Sequence, residues 1–268
     1  MGNMGDFGVM GVCPRCKGCG YIIVRKTTPR SIEIYGKDHP VDYAEPCPYC
    51  NGGEQKQIED VRTRANIPTT YYDASIESFK FDEYYNDKGE KEDISLQEKY
   101  VRSFIFDFEK WQKKGIGLYI YSKRRGTGKT FLASCICNSL MAKYKLTTKF
   151  VSTSDLLDIA KAEPRQGEKA PLEVLCECKV LVLDDIGQKN TGTEWLNDIL
   201  FKIIDARYQK KLVTIFTSNV KVGELNIDDR VRSRIDKLSQ LIPLPEYSFR
   251  NKEAHEEKLE LFKEIGLM

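Results

Sequence analysis

Five short apolar runs recur along the second half of the chain: GLYIYS at 117–122, KFVST at 149–153, KVLVLDD at 179–185, LVTIFTSN at 212–219 and LIPL at 241–244. Stretches with apolar residues at helical spacing lie between them. Strands separated by helices pair in parallel, and runs with little polar alternation fit strands covered on both faces. This pattern predicts an α/β domain built on a parallel five-stranded sheet. The clearest intervening helix is WLNDILFKIIDARYQKK, where Trp195, Leu196, Ile199, Leu200, Ile203 and Ile204 form the stripe predicted to be buried. Upstream, Leu96, Tyr100, Val101, Phe104, Ile105, Phe108 and Trp111 recur at the same spacing up to Gly115, which predicts one amphipathic helix stopped by that glycine.

The segment KRRGTGKT joins the first run to the helical stretch KTFLASCICNSLMAKY. In that setting Gly126 and Gly128 let the backbone curl, so the amides over Gly126, Thr127, Gly128, Lys129, Thr130 and Phe131 face an anion at a helix N-terminus. The spacing is that of a loop for the phosphates of a nucleotide, with Lys129 reaching the β- and γ-phosphates and the Thr130 hydroxyl a ligand of Mg2+. The full pattern has glycine at 123, where this chain has Lys123. Lys123 must either adopt the tight turn that glycine normally makes or shift the loop's entry slightly; a left-handed backbone there would cost about 1 kcal/mol, weakening the loop without abolishing it. The run KVLVLDDIG then delivers two carboxylates to a strand end on the same side of a parallel sheet. Asp184 is expected in the Mg2+ shell and Asp185 beside the attacking water.

The start of the chain has another character. Cys13-Pro-Arg-Cys16 and Cys47-Pro-Tyr-Cys50 are two C-x-x-C pairs, each followed by a glycine-containing turn, and four such thiolates close a tetrahedral Zn2+ site. Cys19 and His39 are alternative ligands. Such a closed site is structural, so this module is expected to hold a partner, with nucleic-acid binding through Arg15, Lys17, Arg25, Lys26 and Arg30 as the competing reading. The expected division is a zinc-binding domain at 1–60, a linker and start of the next region at 61–94, and the α/β domain at 95–268. The remaining cysteines, Cys135, Cys137, Cys176 and Cys178, read as core packing. A net charge of +2 leaves no overall field to attract nucleic acid or anionic membrane, so such binding must use local patches. The longest apolar runs fall far short of the roughly 20 residues a bilayer requires, and the first residues lack a secretory pattern. A cytoplasmic protein without membrane contact is the expectation.

GTGKT, LVLDDIG, TIFTSN and RVRSRI, in that order, resemble the AAA+ ATPases, and within them the DnaC/DnaI-type helicase loaders and their IstB-like relatives, over residues 67–268. The resemblance implies an AAA+ P-loop core. It implies that Asn219 is a polar sensor near the γ-phosphate, that Arg234 is an arginine finger acting on a neighbouring subunit with Arg230 in support, and that Arg250 is a second sensor. A finger acting in trans implies self-association through the ATPase domain. The stretch STSDLLDIAKAEPRQGEKAPLEVL, broken at Pro164 and restarting near Pro171, corresponds to an insertion that lines a single-stranded DNA channel in the loaders; Lys161, Arg165 and Lys169 are its basic residues. The implied function is ATP-dependent delivery of a DnaB-type replicative helicase onto single-stranded DNA, the N-terminal module gripping the helicase. The alternative is an IstB-like transposition accessory ATPase that binds target duplex DNA. Asp185 stands where many AAA+ enzymes have glutamate, and its shorter reach implies slow, partner- or DNA-regulated hydrolysis.

Overall fold

The structure, a computed structural model, describes residues 65–164, 167–187 and 194–250 in full and the backbone of two earlier strands. The chain divides into two compact units, Met1–Thr63 and Arg64–Met268. In the first, β1 (Tyr21–Lys26) and β2 (Val41–Pro46) pair antiparallel, with Tyr21 opposite Pro46 and Lys26 opposite Val41. The expected zinc ligands Cys13, Cys16, Cys47 and Cys50, with Cys19 and His39, lie outside the described residues, as does Arg165.

The second unit is built on five parallel strands: β3 (Gly117–Tyr121), β4 (Thr148–Ser152), β5 (Val180–Asp184), β6 (Val213–Ser218) and β7 (Ser239–Pro243). Their order across the sheet is β4-β5-β6-β3-β7. The order follows from the connections. Each crossover carries helix, so sequential strands are free to settle on either side of β3, and β6 comes to lie between β3 and β5.

Alternation along the strands sends residues to two separate cores. Leu118, Ile120, Val180, Val182, Val213 and Ile215 pack on one face, while Tyr119, Leu181, Leu183 and Phe216 pack on the other. The first face is covered by α1 (Ser95–Phe106), α2 (Phe108–Lys114), α3 (Lys129–Tyr144) and the segment 65–94. α3 is buried nearly all round, including Leu132, Ala133, Cys135, Ile136, Cys137 and Leu140. A helix with so little polar surface needs cover on its outer side, and the 65–94 segment provides it. Asn138 ties the two together, its amide donating to the carbonyls of Tyr71, Tyr72 and Ala74 at 3.0, 3.2 and 2.8 Å. On the second face lie α4 (Leu156–Lys161), α5 (Pro171–Glu177), α6 (Glu194–Gln209) and α7 (Asp229–Leu238). Cys135, Cys137, Cys176 and Cys178 are buried free thiols, as their apolar surroundings in the sequence implied. Among the described residues no helix is long and apolar enough to cross a membrane.

Three local expectations need correction. The helix predicted up to Gly115 is two helices, because the backbone at Asp107 (φ −110°, ψ 29°) leaves helical geometry while Phe104 and Phe108 on either side remain buried and in edge contact. Aspartate is a poor helix former, and a break there re-aims α2 without losing the aromatic packing. Gly115 does end the pair, at φ 68°. Leu96 is 60% exposed, since it lies in the first turn of α1 on the outer side. Trp195 is likewise 43% exposed rather than part of the buried stripe: it occupies the first turn of α6, and the Lys161 ammonium lies 5.3 Å above its ring.

The same stripe contains an unexpected member. One turn beyond Ile203 and Ile204 comes Arg207, with no exposure to solvent. Its guanidinium donates to the Thr214 hydroxyl at 2.9 Å, the Leu175 and Cys178 carbonyls at 2.8 Å each, and the Val213 carbonyl at 2.5 Å. It therefore satisfies carbonyls at the end of α5 and fastens them to the start of β6. Burial pushes its pKa down, and burial also pushes the neighbouring Cys178 thiol up, so that pair is not an ionic one.

Candidate nucleotide site

β3 lies inside the sheet between β6 and β7, and the loop that leaves its C-terminal end turns directly into α3. Gly126 and Gly128 adopt φ 77° and 86°. A side chain at 126 would also meet the Ser248 hydroxyl at 2.6 Å, so both backbone conformation and space call for glycine there. Lys123 is not left-handed, so the strain expected from the missing glycine is absent. Its amide and that of Arg124 are instead held by the Glu246 carboxylate, at 2.9 and 2.5 Å.

Lys129 is buried at the floor of the loop. Its ammonium donates to the Ser122 and Arg124 carbonyls, at 3.1 and 2.8 Å, and to the Thr127 hydroxyl at 3.3 Å. Burial lowers its pKa to about 8 against the opposing pull of Asp185, Glu246 and Asp184. Thr130, in the first turn of α3, donates to both Asp184 oxygens, at 3.1 and 3.3 Å. A hydroxyl and a carboxylate brought this close are a hard-oxygen pair of the kind Mg2+ requires, and they fit the ion expected there. Burial raises the Asp184 pKa, while hydrogen bonds from Thr217 and Thr130 and the nearby Lys129 charge lower it.

The β3–β6–β5 order puts Thr217 between the phosphate loop and the acidic pair. Its hydroxyl donates to Asp184 at 2.5 Å and accepts from the Asp185 amide at 2.8 Å. Asp185 is left-handed, at φ 58°, which turns its side chain from the strand toward the cavity, and the Asn219 amide donates to it at 3.0 Å. A cavity of about 600 Å³ is lined by the loop, by Asp185, Thr217 and Asn219, and by the aromatic rings of Tyr71, Phe79, Phe131 and Phe249. Phe79 stacks on Phe131 with ring centres 5.9 Å apart. Tyr84, fully buried, donates to the Thr127 carbonyl at 2.8 Å and fixes the loop from the N-terminal side. Arg250 lines the cavity from the C-terminal side.

The other expected residues lie elsewhere. Arg234 and Arg230, on α7, stack on Phe201 at 4.6 and 4.8 Å; Arg234 pairs with Asp205 at 2.6 Å and Arg230 with Asp228 at 3.0 Å. Neither lines the cavity of its own chain. Lys161 faces Trp195, and Lys169 forms an exposed ion pair with Glu177. Thr217, Tyr84 and Glu246 escaped the reading of the motifs; Thr217 alone had a signal, since it sits in the same TIFTSN run as Asn219. Thr217→Val keeps the side-chain shape without the hydroxyl, and is expected to lower ATP turnover by about tenfold, the loss of roughly one good hydrogen bond, with nucleotide affinity little changed. Steady-state phosphate release and nucleotide titration on the same preparation separate the two.

A glycine loop opening a helix at the end of an inner parallel strand, with a hydroxyl and two aspartates converging on it, defines a P-loop nucleotide-binding domain of AAA+ type. The model of the IstB-like ATP binding protein family matches residues 120–253, half of the chain, and the chain belongs to that family. It is similar to the replicative helicase loader DnaC of Escherichia coli (strain K12), 26% identical over 189 residues that cover 68% of this chain and 71% of the loader. The replicative helicase loader DnaI of Bacillus subtilis (strain 168) is 32% identical over 113 residues, 42% of this chain and 36% of that protein. A crystal structure of DnaI superposes with a TM-score of 0.54 at 25% identity, covering 67% of this chain and 95% of that one.

Proposed function

We propose that this chain is an ATP-dependent loader that delivers a DnaB-type replicative helicase onto single-stranded DNA when replication starts. The observation that supports this furthest is similarity running through 71% of the DnaC sequence, in a chain where Thr130 and Thr217 bond to Asp184 and Asn219 bonds to Asp185. In this reading the loop amides and Lys129 bind the phosphates of ATP, and Thr130 with Asp184 holds Mg2+, which neutralises phosphate charge when bound. Asp185, aimed by Asn219, accepts a proton from the attacking water. Arg250 reports on the γ-phosphate. Arg234, with Arg230 beside it, serves the site of a neighbouring copy, which requires it to give up Asp205 on assembly. Lys161, Arg165 and Lys169 track single-stranded DNA phosphates; the Lys169–Glu177 pair is solvent-exposed and cheaply exchanged for phosphate. The four cysteines at 13, 16, 47 and 50 bind structural zinc in the unit that grips the helicase. That unit, and the loader relatives, favour this reading over a transposition accessory.

The test is a loading assay with purified chain, a hexameric DnaB-type helicase, ATP and circular single-stranded DNA. Expected are ATP-dependent capture of helicase on the circle and about one zinc per chain, with both zinc and capture lost in Cys13→Ser/Cys47→Ser. Tighter binding to duplex than to single strands, together with no capture of helicase, would instead favour the transposition accessory and end the loader reading.

A further inference from the structure

Of the seven residues after β7, Leu244, Pro245, Glu246 and Phe249 bond to the end of β3 or to the phosphate loop that follows it. The Leu244 amide donates to the Tyr121 carbonyl at 2.7 Å, and the Ser122 hydroxyl to the Pro245 carbonyl at 3.3 Å. The Glu246 carboxylate takes the Lys123 and Arg124 amides, one on each oxygen, and the Arg124 guanidinium donates to the Glu246 carbonyl at 2.8 Å. The Phe249 amide then donates to the Gly126 carbonyl at 3.0 Å. Parallel pairing between β3 and β7 therefore continues past the sheet into the loop itself.

We propose that Glu246 is a positioning residue for nucleotide binding, and that its carboxylate compensates for the glycine absent at 123. Lys123 and Arg124 are exposed and their amides could be met by water, but a carboxylate that takes both holds this start of the loop in one conformation. Here the backbone at Lys123 and Arg124 keeps conformations open to ordinary residues, and a two-oxygen acceptor is brought to the amides. With the loop's start fixed, the amides from Gly126 onward stay aimed into the cavity. The inference rests on the nucleotide reading of that cavity.

Binding of a fluorescent N-methylanthraniloyl ATP with Mg2+ tests it, using the full chain. If the unmodified chain does not bind the probe, the nucleotide reading itself fails. If it binds, Glu246→Ala is expected to raise the dissociation constant roughly tenfold through faster release, with the melting temperature of the nucleotide-free protein unchanged. Glu246→Gln, which retains one acceptor oxygen, is expected to fall between, and it carries the test if the alanine variant fails to fold. Asp87→Ala removes another carboxylate near Arg124, 3.6 Å from its guanidinium, without touching the loop amides, and is expected to bind as the unmodified chain does. Equal affinity in both Glu246 variants, or an equal loss in Asp87→Ala, overturns the proposal.

Discussion

Lys129→Ala is expected to reduce ATP hydrolysis by about 10²–10³-fold, the effect of deleting one preorganised charge-stabilising donor, while leaving the fold intact. The ammonium is buried, and its hydrogen-bond partners are two carbonyls and a hydroxyl. Among the described residues no carboxylate lies within ion-pair distance of it. A cation held by neutral oxygens has its desolvation only partly offset, which is why its pKa falls to about 8. A triphosphate supplies the missing countercharge. Removing the ammonium thus discards an interaction made with the ligand and relieves a burden in the free protein. Nucleotide titration and phosphate release measure the first effect, and a melting curve the second. Affinity within twofold of the unmodified chain would show that the loop is not a phosphate site.

The largest expected loss of stability is at Arg207. Arg207→Met fills much of the same volume but leaves the Leu175, Cys178 and Val213 carbonyls and the Thr214 hydroxyl without their buried donor. Unpaired buried groups cost roughly 1–3 kcal/mol each, so even with partial relaxation a loss of about 3 kcal/mol is expected. In a domain of this size that lowers the melting temperature by roughly 10 °C. Arg207→Lys is not expected to restore it, because a single ammonium cannot reach groups spread around a planar fork. A midpoint within about 2 °C of the unmodified protein in both variants would refute this account of the buried arginine.

The strands were legible because burial on both faces removes polar alternation, leaving runs such as VLVL at 180–183 with one reading. The phosphate loop and the acidic doublet were legible because their chemistry is local. What escaped was made by contacts across the chain. Thr217 is an ordinary strand threonine until β6 settles beside β5, and Glu246 is an ordinary charged residue until its segment follows the loop. Arg207 was hidden by its type: the periodic stripe of α6 continues through it, but an arginine suggests solvent unless carbonyls are known to converge there. Trp195 and Leu96 failed in the opposite sense, since apolar character at a helix's first turn does not say whether anything lies opposite.

A hydroxyl owns a single proton. Thr217 commits its own to Asp184 and receives another from the Asp185 backbone, so the polarity of this chain of contacts runs one way, from the water-facing aspartate toward the cation-holding one. Burial draws Asp184 toward the neutral acid, and the hydrogen bonds from Thr217 and Thr130 act against it, so the two threonines favour the anionic form that a divalent ion demands.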